Sequence, residues 1–593
     1  MANEQQELRS INWNEVFAFT HIFKSFRMAI QPTKMLLALV AIVSMYIGGW
    51  VLDRCWQVGG RRAMRNEVSL YVTSSTADFK AAKNGWRSNR PTLAAGLLAE
   101  ATNEAHFLAV YSAKLPAGRL ATAFAEKLAA DNSEGTANKP FETKSTDSFL
   151  PDANKNWRQV LGAAGDKFCL QVERVNKLMT QADHDVAYSL KSLPTTEERQ
   201  KETEQLAKDE AKAAQALTAR KKEFADQVLT IRGRGIFASL LDYEDHCVDN
   251  ALAAVWRLDL STGLASYGKT GNPAELSSAG LLYWVLMAVG GLGWLIAEHG
   301  IYAILFLLLC LASWALFGGA VYRIAALHAT REEKISAVQA LRFSINKFFS
   351  FLTAPIIPLL IILVLGLLLA IGGLVGNLGG FGAMLLGLLF FLAILVGLLV
   401  AFLLIGLTAG CSLMYPTIAV EGSDSFDAIS RSFSYVFARP WRSILYAAVA
   451  TLHGALCYLF VRLFAFLALA ATHTFLNWGI WTGGKKLADG ATRLDVLWLA
   501  PTFEELHSWT WVAMSWAEKI GAVLIGLWVY LVIGGVAAFL LSYLASSTTV
   551  IYTLLRQRVD ATELDDVYVE EGSAEVAAEP AAPPAAESGS PPA

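Results

Sequence analysis

The sequence predicts an all-α, polytopic membrane protein of about six transmembrane helices, with interfacial elbow helices and one large helical insert. Three observations predict it. Hydrophobic residues make up 54% of the 593 and charged residues only 17%, where a soluble protein carries about 25% charged. Mean hydropathy is +0.39. The apolar residues are also unevenly placed: one run lies near the N-terminus, a polar stretch fills 53–278, and apolar sequence is dense from Ala279 onward. The 49 Lys+Arg against 52 Asp+Glu give a net charge of −3. That balance disfavours a nucleic-acid binder, which needs a basic face against phosphates. Six cysteines are too few for a disulfide scaffold of this size.

A crossing helix needs about 20 apolar residues. Residues 1–34 read as a cytoplasmic segment with an interfacial helix, and Met35–Leu52 as an uncleaved first crossing, because no small-residue cleavage site follows it. Five more crossings are expected in 297–551: Ile301–Val321, Pro355–Gly376, Phe381–Cys411, Ser443–Thr472 and Ile520–Ser547. Residues 279–296 are also apolar but leave almost no loop before Ile301. Gly290, Gly291 and Gly293 weaken this segment as a lipid-facing helix, so it is expected to be interfacial or re-entrant. If it spans, the crossings number seven and the insert changes sides.

Basic residues mark the cytoplasmic loops. Arg323, Arg331, Lys334, Arg342 and Lys347 precede Pro355, Arg431, Arg439 and Arg442 precede Ser443, and Arg556 and Arg558 follow the last crossing. Lys24, Arg27 and Lys34 suggest an inside start, against Arg54, Arg61, Arg62 and Arg65 on the other flank. Tryptophan favours the headgroup level, so the segment from His473 to Ala517, with Trp478, Trp481, Trp498, Trp509, Trp511 and Trp516, is expected at the outer interface. Both termini are then cytoplasmic and the insert extracytoplasmic.

A pattern of aromatics with Lys or Arg, then Pro, then a long apolar run occurs three times: Phe23–Pro32, Ala340–Phe349 before Pro355, and Ala428–Phe437 before Pro440. Such helices lie in the interface, with the Pro in a turn or in the first helical turn of the crossing. Ser423 or Asp424 is the expected cap of the third.

Tyr415-Pro416-Thr417 leading into Glu421-Gly422 and Phe426-Asp427-Ala428-Ile429-Ser430-Arg431-Ser432, the run from Gly318 to Ala325, and that from Tyr552 to Asp560 resemble uncharacterised bacterial polytopic membrane proteins of planctomycete type. The resemblance covers mainly 297–568. It implies a bacterial inner membrane and brings no assigned activity.

Within the insert, a helical hairpin is expected at about 156–231, broken at Ser192-Leu193-Pro194. Thr195 with Glu198 forms a candidate capping box for the second helix. Leu217, Phe224 and Ile231 recur every seven residues beside Ala213 and Val228, a short antiparallel coiled-coil-like seam. Residues 131–149 read as a loop, and 552–593 as a tail, acidic and rich in Ala, Pro and Glu, without fixed structure. Cys169 and Cys247 could pair if the insert is outside.

Candidate chemistry is sparse. Asp242, His246 and Asp249 share a helical face at i, i+4 and i+7, a possible metal face that lacks a fourth ligand; a solvated face is the competing reading. His453 and Arg462 are ionisable groups inside a crossing and mark functional suspects. His453 shares a face with Cys457. No P-loop, zinc-hydrolase or serine-hydrolase motif is present, and no catalytic residue, cofactor or resident metal is assigned. The sequence therefore points to a non-enzymatic scaffold, assembly or transport-associated protein whose partners are the bilayer and envelope proteins. A transporter with a polar site near His453 and Arg462 is the alternative. A lipid-modifying enzyme using Glu504, Glu505 and His507 is a third.

Overall fold

The computed structural model describes residues 18–58, 61–133, 157–264, 279–479, 494, 497–503, 506 and 516–568. Two expected irregular stretches begin as helix: the loop expected at 131–149 is helical through Ser133, and the tail expected at 552–593 is helical through Asp560. The rest of that loop, most of the Trp-rich segment, Glu504, Glu505 and His507, and the tail after Tyr568 lie outside the described residues. Among the described residues the chain is helical, with a single isolated β-bridge between Ala63 and Arg234.

The helices run α1 (Lys24–Ala29), α2 (Pro32–Val58), α3 (Glu67–Thr73), α4 (Thr76–Thr102), α5 (Glu104–Ala113), α6 (Arg119–Ser133), α7 (Trp157–Leu190), α8 (Thr196–Arg232) and α9 (Ile236–Trp256). They continue as α10 (Leu281–Glu298), α11 (Gly300–Arg331), α12 (Ala337–Asn346), α13 (Phe348–Leu374), α14 (Gly379–Glu421), α15 (Ser425–Ala438), α16 (Pro440–Gly479) and α17 (Trp516–Asp560). Seven of them among the described residues, α2, α10, α11, α13, α14, α16 and α17, are long and apolar enough to cross a membrane. Their outward faces are apolar: Leu363, Leu367, Phe391 and Leu398 are all exposed, as lipid-facing side chains must be. The chain is an all-α, multi-pass membrane protein.

It divides into two compact units, Met1–Met45 with Leu308–Val461 and Gly534–Ala593, and Tyr46–Leu307 with Arg462–Ile533. The core of the first gathers Met28, Leu37, Tyr322, Phe343, Phe351, Met414, Ile418, Tyr435, Tyr552 and Leu555. Here the helices outrun the apolar segments. α14 continues ten residues past Cys411 to Glu421 because Leu413–Val420 are buried. α17 continues through the polar run Ser546–Thr549 to Asp560. In that run Ser546, Thr548 and Thr549 bond the carbonyls of Ser542, Leu544 and Ala545, satisfying the hydroxyls within the helix. A one-turn π segment, Trp314–Gly318, interrupts α11. The three elbow regions are helical: α1 with a preceding 3-10 turn, α12, and α15. A reciprocal Ser336–Gln339 capping box starts α12, and Asp424 caps α15. Pro32 and Pro440 open α2 and α16. Pro355 instead lies inside α13, beyond its first turn, because the helix already starts at Phe348 on the C-cap residue of α12.

The second unit holds the insert. α7 buries Val160, Leu161, Ala164, Phe168, Val172, Val175, Leu178, Ala182, Val186 and Leu190, an apolar stripe at helical spacing. It packs chiefly on α4 and α6 rather than on α8, so the hairpin is part of a bundle rather than a free arm. Phe168 stacks on Phe224 of α8 at 3.9 Å between ring centroids. Thr195 caps α8 by accepting from the Glu198 amide at 3.3 Å, and the helix ends at Gly233 with φ +75°. A separate core joins the end of α2, α3, the start of α4, α9, α10 and the start of α11 through Val68, Phe79, Leu240, Tyr243, Tyr283, Trp284, Met287, Trp294 and Tyr302. α9 and α10 are antiparallel: the Tyr243 hydroxyl donates to the Met287 carbonyl, and Arg257 to the Ala279 carbonyl.

Candidate functional site

The strongest polar constellation in the second unit lies where the insert meets its membrane helices. Asp53, in the last turns of α2, is 4% exposed. Its carboxylate accepts from the Phe237 and Ala238 amides at 3.0 and 3.1 Å and from the Tyr302 hydroxyl at 2.8 Å. It therefore caps α9 from a distant helix and neutralises the positive end of that helix. A Cβ on Gly235 would meet Asp53 Oδ2 at 2.0 Å, so only glycine lets the carboxylate approach. Nearby, Glu67 is fully buried. Lys83 Nζ lies 2.7 Å from Glu67 Oε1 and 2.6 Å from Glu298 Oε2. The Met64 amide and the Trp294 indole also donate to Glu67. Burial alone would raise the Glu67 pKa, but the nearby His299 ring, 3.8 Å away, and the Lys83 ammonium override it and hold the carboxyl at about 2. One buried ion set thus ties α3, α4 and the α10–α11 junction together, and Asp53 ties α2, α9 and α11.

A second constellation closes the first unit. Arg323, 5% exposed, donates to the carbonyls of Ala419 at 2.8 Å and Tyr568 at 2.7 Å and lies over the Phe343 ring at 4.4 Å. The Tyr568 amide returns to the Val420 carbonyl at 2.8 Å. Glu421 is held by Arg431 at 2.9 Å, by Arg556 at 3.1 Å and by the Tyr552 hydroxyl. Arg323 and Arg556 are therefore buried helix residues that fasten the stretch after α17; they are not loop charges as expected, because their guanidinium groups serve carbonyls and carboxylates that the loops bring back.

The individual suspects have partners. His453 Nδ1 lies 2.9 Å from the Tyr543 hydroxyl, its Nε2 lies 3.4 Å from Cys457 Sγ, and Phe23 meets the ring edge-on. Arg462, in the second unit, donates to the Phe503 carbonyl at 3.2 Å and faces Asp249 at 3.8 Å. The structure does not bring His453 and Arg462 together. Asp242 pairs with Arg234 at 2.8 Å, and the His246 ring meets Trp284 edge-on at 5.6 Å. The Asp242, His246 and Asp249 side chains are thus drawn to different neighbours. No group of three or more His, Cys, Asp or Glu able to hold a metal occurs among the described residues. The Cys169–Cys247 pairing is not made: both are free thiols, Cys169 exposed on α7 and Cys247 buried in the α9–α10 core, and α7 and α9 pack into separate cores of the insert.

A groove of about 690 Å³ lies between α4 and α8, floored by Leu93, Leu97 and Ile231 and rimmed by Arg65, Glu100 and Asp226. Sequence reasoning missed this groove and the Glu67–Lys83–Glu298 set. Both depend on residues far apart in the chain, and no local spacing marks them. No family model, curated protein or solved structure matches the chain.

Proposed function

We propose that this is a bacterial inner-membrane protein that presents a helical domain on the extracytoplasmic face and serves as a non-enzymatic scaffold for envelope proteins, with both termini cytoplasmic. The observation that carries the reading is the buried Glu67–Lys83–Glu298 set with Asp53: four ionisable groups fix the insert to the ends of membrane helices. Such a junction favours a rigidly oriented platform over a flexible appendage. Transport draws less support, since His453 and Arg462 each serve their own neighbours.

The same geometry supports six crossings, with α10 interfacial. Asp53 and Tyr302 meet, so the chain leaves through α2 and returns through α11 at one level. α10 lies against α9 along its length, and α9 carries Asp242, Glu244, Asp245 and Asp249. Carrying this pair through hydrocarbon would cost about 2.5–3.5 kcal/mol for each such acid. α9 also starts on Asp53 of α2 and reaches Arg462 of α16 at Asp249. α9 then runs along a membrane face, and α10 turns the exposed stripe Leu282, Val285, Val289, Leu292 and Ile296 to the lipid.

The scaffold reading is tested by co-purification of the full chain in mild detergent beside a Lys83→Met variant. A partner set that survives with the native chain and is lost with the variant supports it, and a native chain that always isolates alone overturns it. Removing Lys83 leaves Glu67 buried without its main counter-charge, a loss of about 3–5 kcal/mol, so insert stability measured in parallel reports that the junction has opened.

A further inference from the structure

One end of the insert carries a group of arginines that form no ion pair among the described residues. The bridge between Ala63 and Arg234, with N–O distances of 3.0 and 2.9 Å, clips the stretch holding Arg61 and Arg62 beside the end of α8 holding Arg232. Trp86 of α4 fixes the same place by donating its indole N–H to the Thr230 carbonyl at 2.8 Å. Arg90 lies over the Trp86 ring at 3.4 Å and 5.2 Å from the Trp157 ring centroid, which brings in Arg158 at the start of α7. Arg54, in the last turns of α2, lies over Trp50 at 4.8 Å. The nearby acids are already engaged: Asp226 with Arg65, Asp242 with Arg234, and Glu67 with Lys83. Among the described residues Arg54, Arg62, Arg90, Arg158 and Arg232 make no ion pair. The crowding is felt: burial and then Arg232, Arg158 and Arg54 lower the Arg62 pKa, and burial and then Arg87, Arg158 and Arg62 push Arg90 down to about 10, against a smaller opposing pull from Glu67. Arg158 also places a cation in the first turn of a helix, where the backbone dipole opposes it.

Like charges held this close repel one another, and a bound anion offsets that repulsion. Guanidinium groups are planar forks matched to phosphate oxygens, and tryptophans beside them are at home at the headgroup level. We propose that this cluster is a binding site for phosphate-bearing anions, occupied by the headgroup of an anionic phospholipid at the end of α2. The inference goes beyond the scaffold reading and needs no protein partner. It also explains why basic residues flank the far end of the first crossing, against the charge rule that orients the rest of the chain.

The test uses the full chain in nanodiscs of phosphatidylcholine doped with phosphatidylglycerol, with retained lipid read by native mass spectrometry. The native protein should retain phosphatidylglycerol selectively, and the triple variant Arg62→Gln, Arg158→Gln, Arg232→Gln should lose that selectivity by about 100-fold, which is about fivefold per arginine. In pure phosphatidylcholine the triple variant should melt no lower than the native chain, because like charges have been removed. The single change Arg158→Glu, at an exposed position, repeats the test without risk to the core. Equal phosphatidylglycerol retention by native and variant proteins overturns the proposal. Displacement of the lipid by inorganic phosphate at matched ionic strength would keep the phosphate chemistry but overturn the lipid as its source.

Discussion

At the scale of single residues, Glu244 is at odds with its surroundings. It faces Gly291 of α10, where a Cβ would meet its Oε1 at 2.6 Å, and that oxygen is buried without a hydrogen bond. Burial pushes its carboxyl up from 4.5 to about 7. The folded chain then holds this proton to higher pH than the unfolded chain does. Stability from this group is complete below 4.5 and falls as pH rises through about 7. Glu244→Gln keeps the shape and removes the titration. Thermal unfolding of the variant should show a higher midpoint than the native chain above that window and no gain below it. Glu67 runs oppositely: its depressed carboxyl stabilises the fold above 4.5 and loses that contribution as pH falls toward 2. Neither behaviour was legible in the sequence, since Lys83 and Glu298 are 215 positions apart. His453 with Cys457 was legible, being one helical turn.

At the scale of elements, local signals read well and tertiary ones did not. The α8 start at Thr195 and the α15 cap at Asp424 are short-range chemistry and follow from the residues themselves. The ends of α14 and α17 were set too early, because apolar content stops where lipid contact ends while burial in the first unit carries the helix on. Gly233 shows the limit of a glycine signal. Its place at a helix end is visible in sequence, but its reason is the Ala63 carbonyl, 2.6 Å from where a Cβ would stand, together with φ +75° and ψ 168°. That backbone region is essentially closed to other residues and costs on the order of 1–3 kcal/mol. Gly233→Ala should lower the unfolding midpoint of the insert accordingly, measured by near-ultraviolet circular dichroism, while Gly96→Ala, which meets no neighbour, should be neutral or slightly stabilising.

For the whole molecule, the all-α multi-pass class was legible because hydropathy runs and crossing length are tied by bilayer thickness. The side of the insert was not, since it turns on whether one apolar helix crosses. Cys169 makes the side measurable: it is a free, exposed thiol on α7, whereas Cys247 is buried. A membrane-impermeant maleimide applied to intact cells should label the native chain and should label the Cys169→Ser variant less, without prior reduction. Labelling that appears only after lysis would place the insert in the cytoplasm and make α10 a true crossing.

Arg323 draws its two carbonyl partners from Ala419 and Tyr568, and the second lies 245 positions downstream. Translation delivers them in that order. When α11 leaves the ribosome its guanidinium has neither acceptor, and the later one arrives only after the whole of α17 has been made. The first unit is therefore closed by one of the last described stretches to be synthesised. A nascent chain stalled in α17 would carry every apolar segment seen among the described residues up to that helix, yet would lack the contacts of Arg323 with Tyr568 that close the first unit.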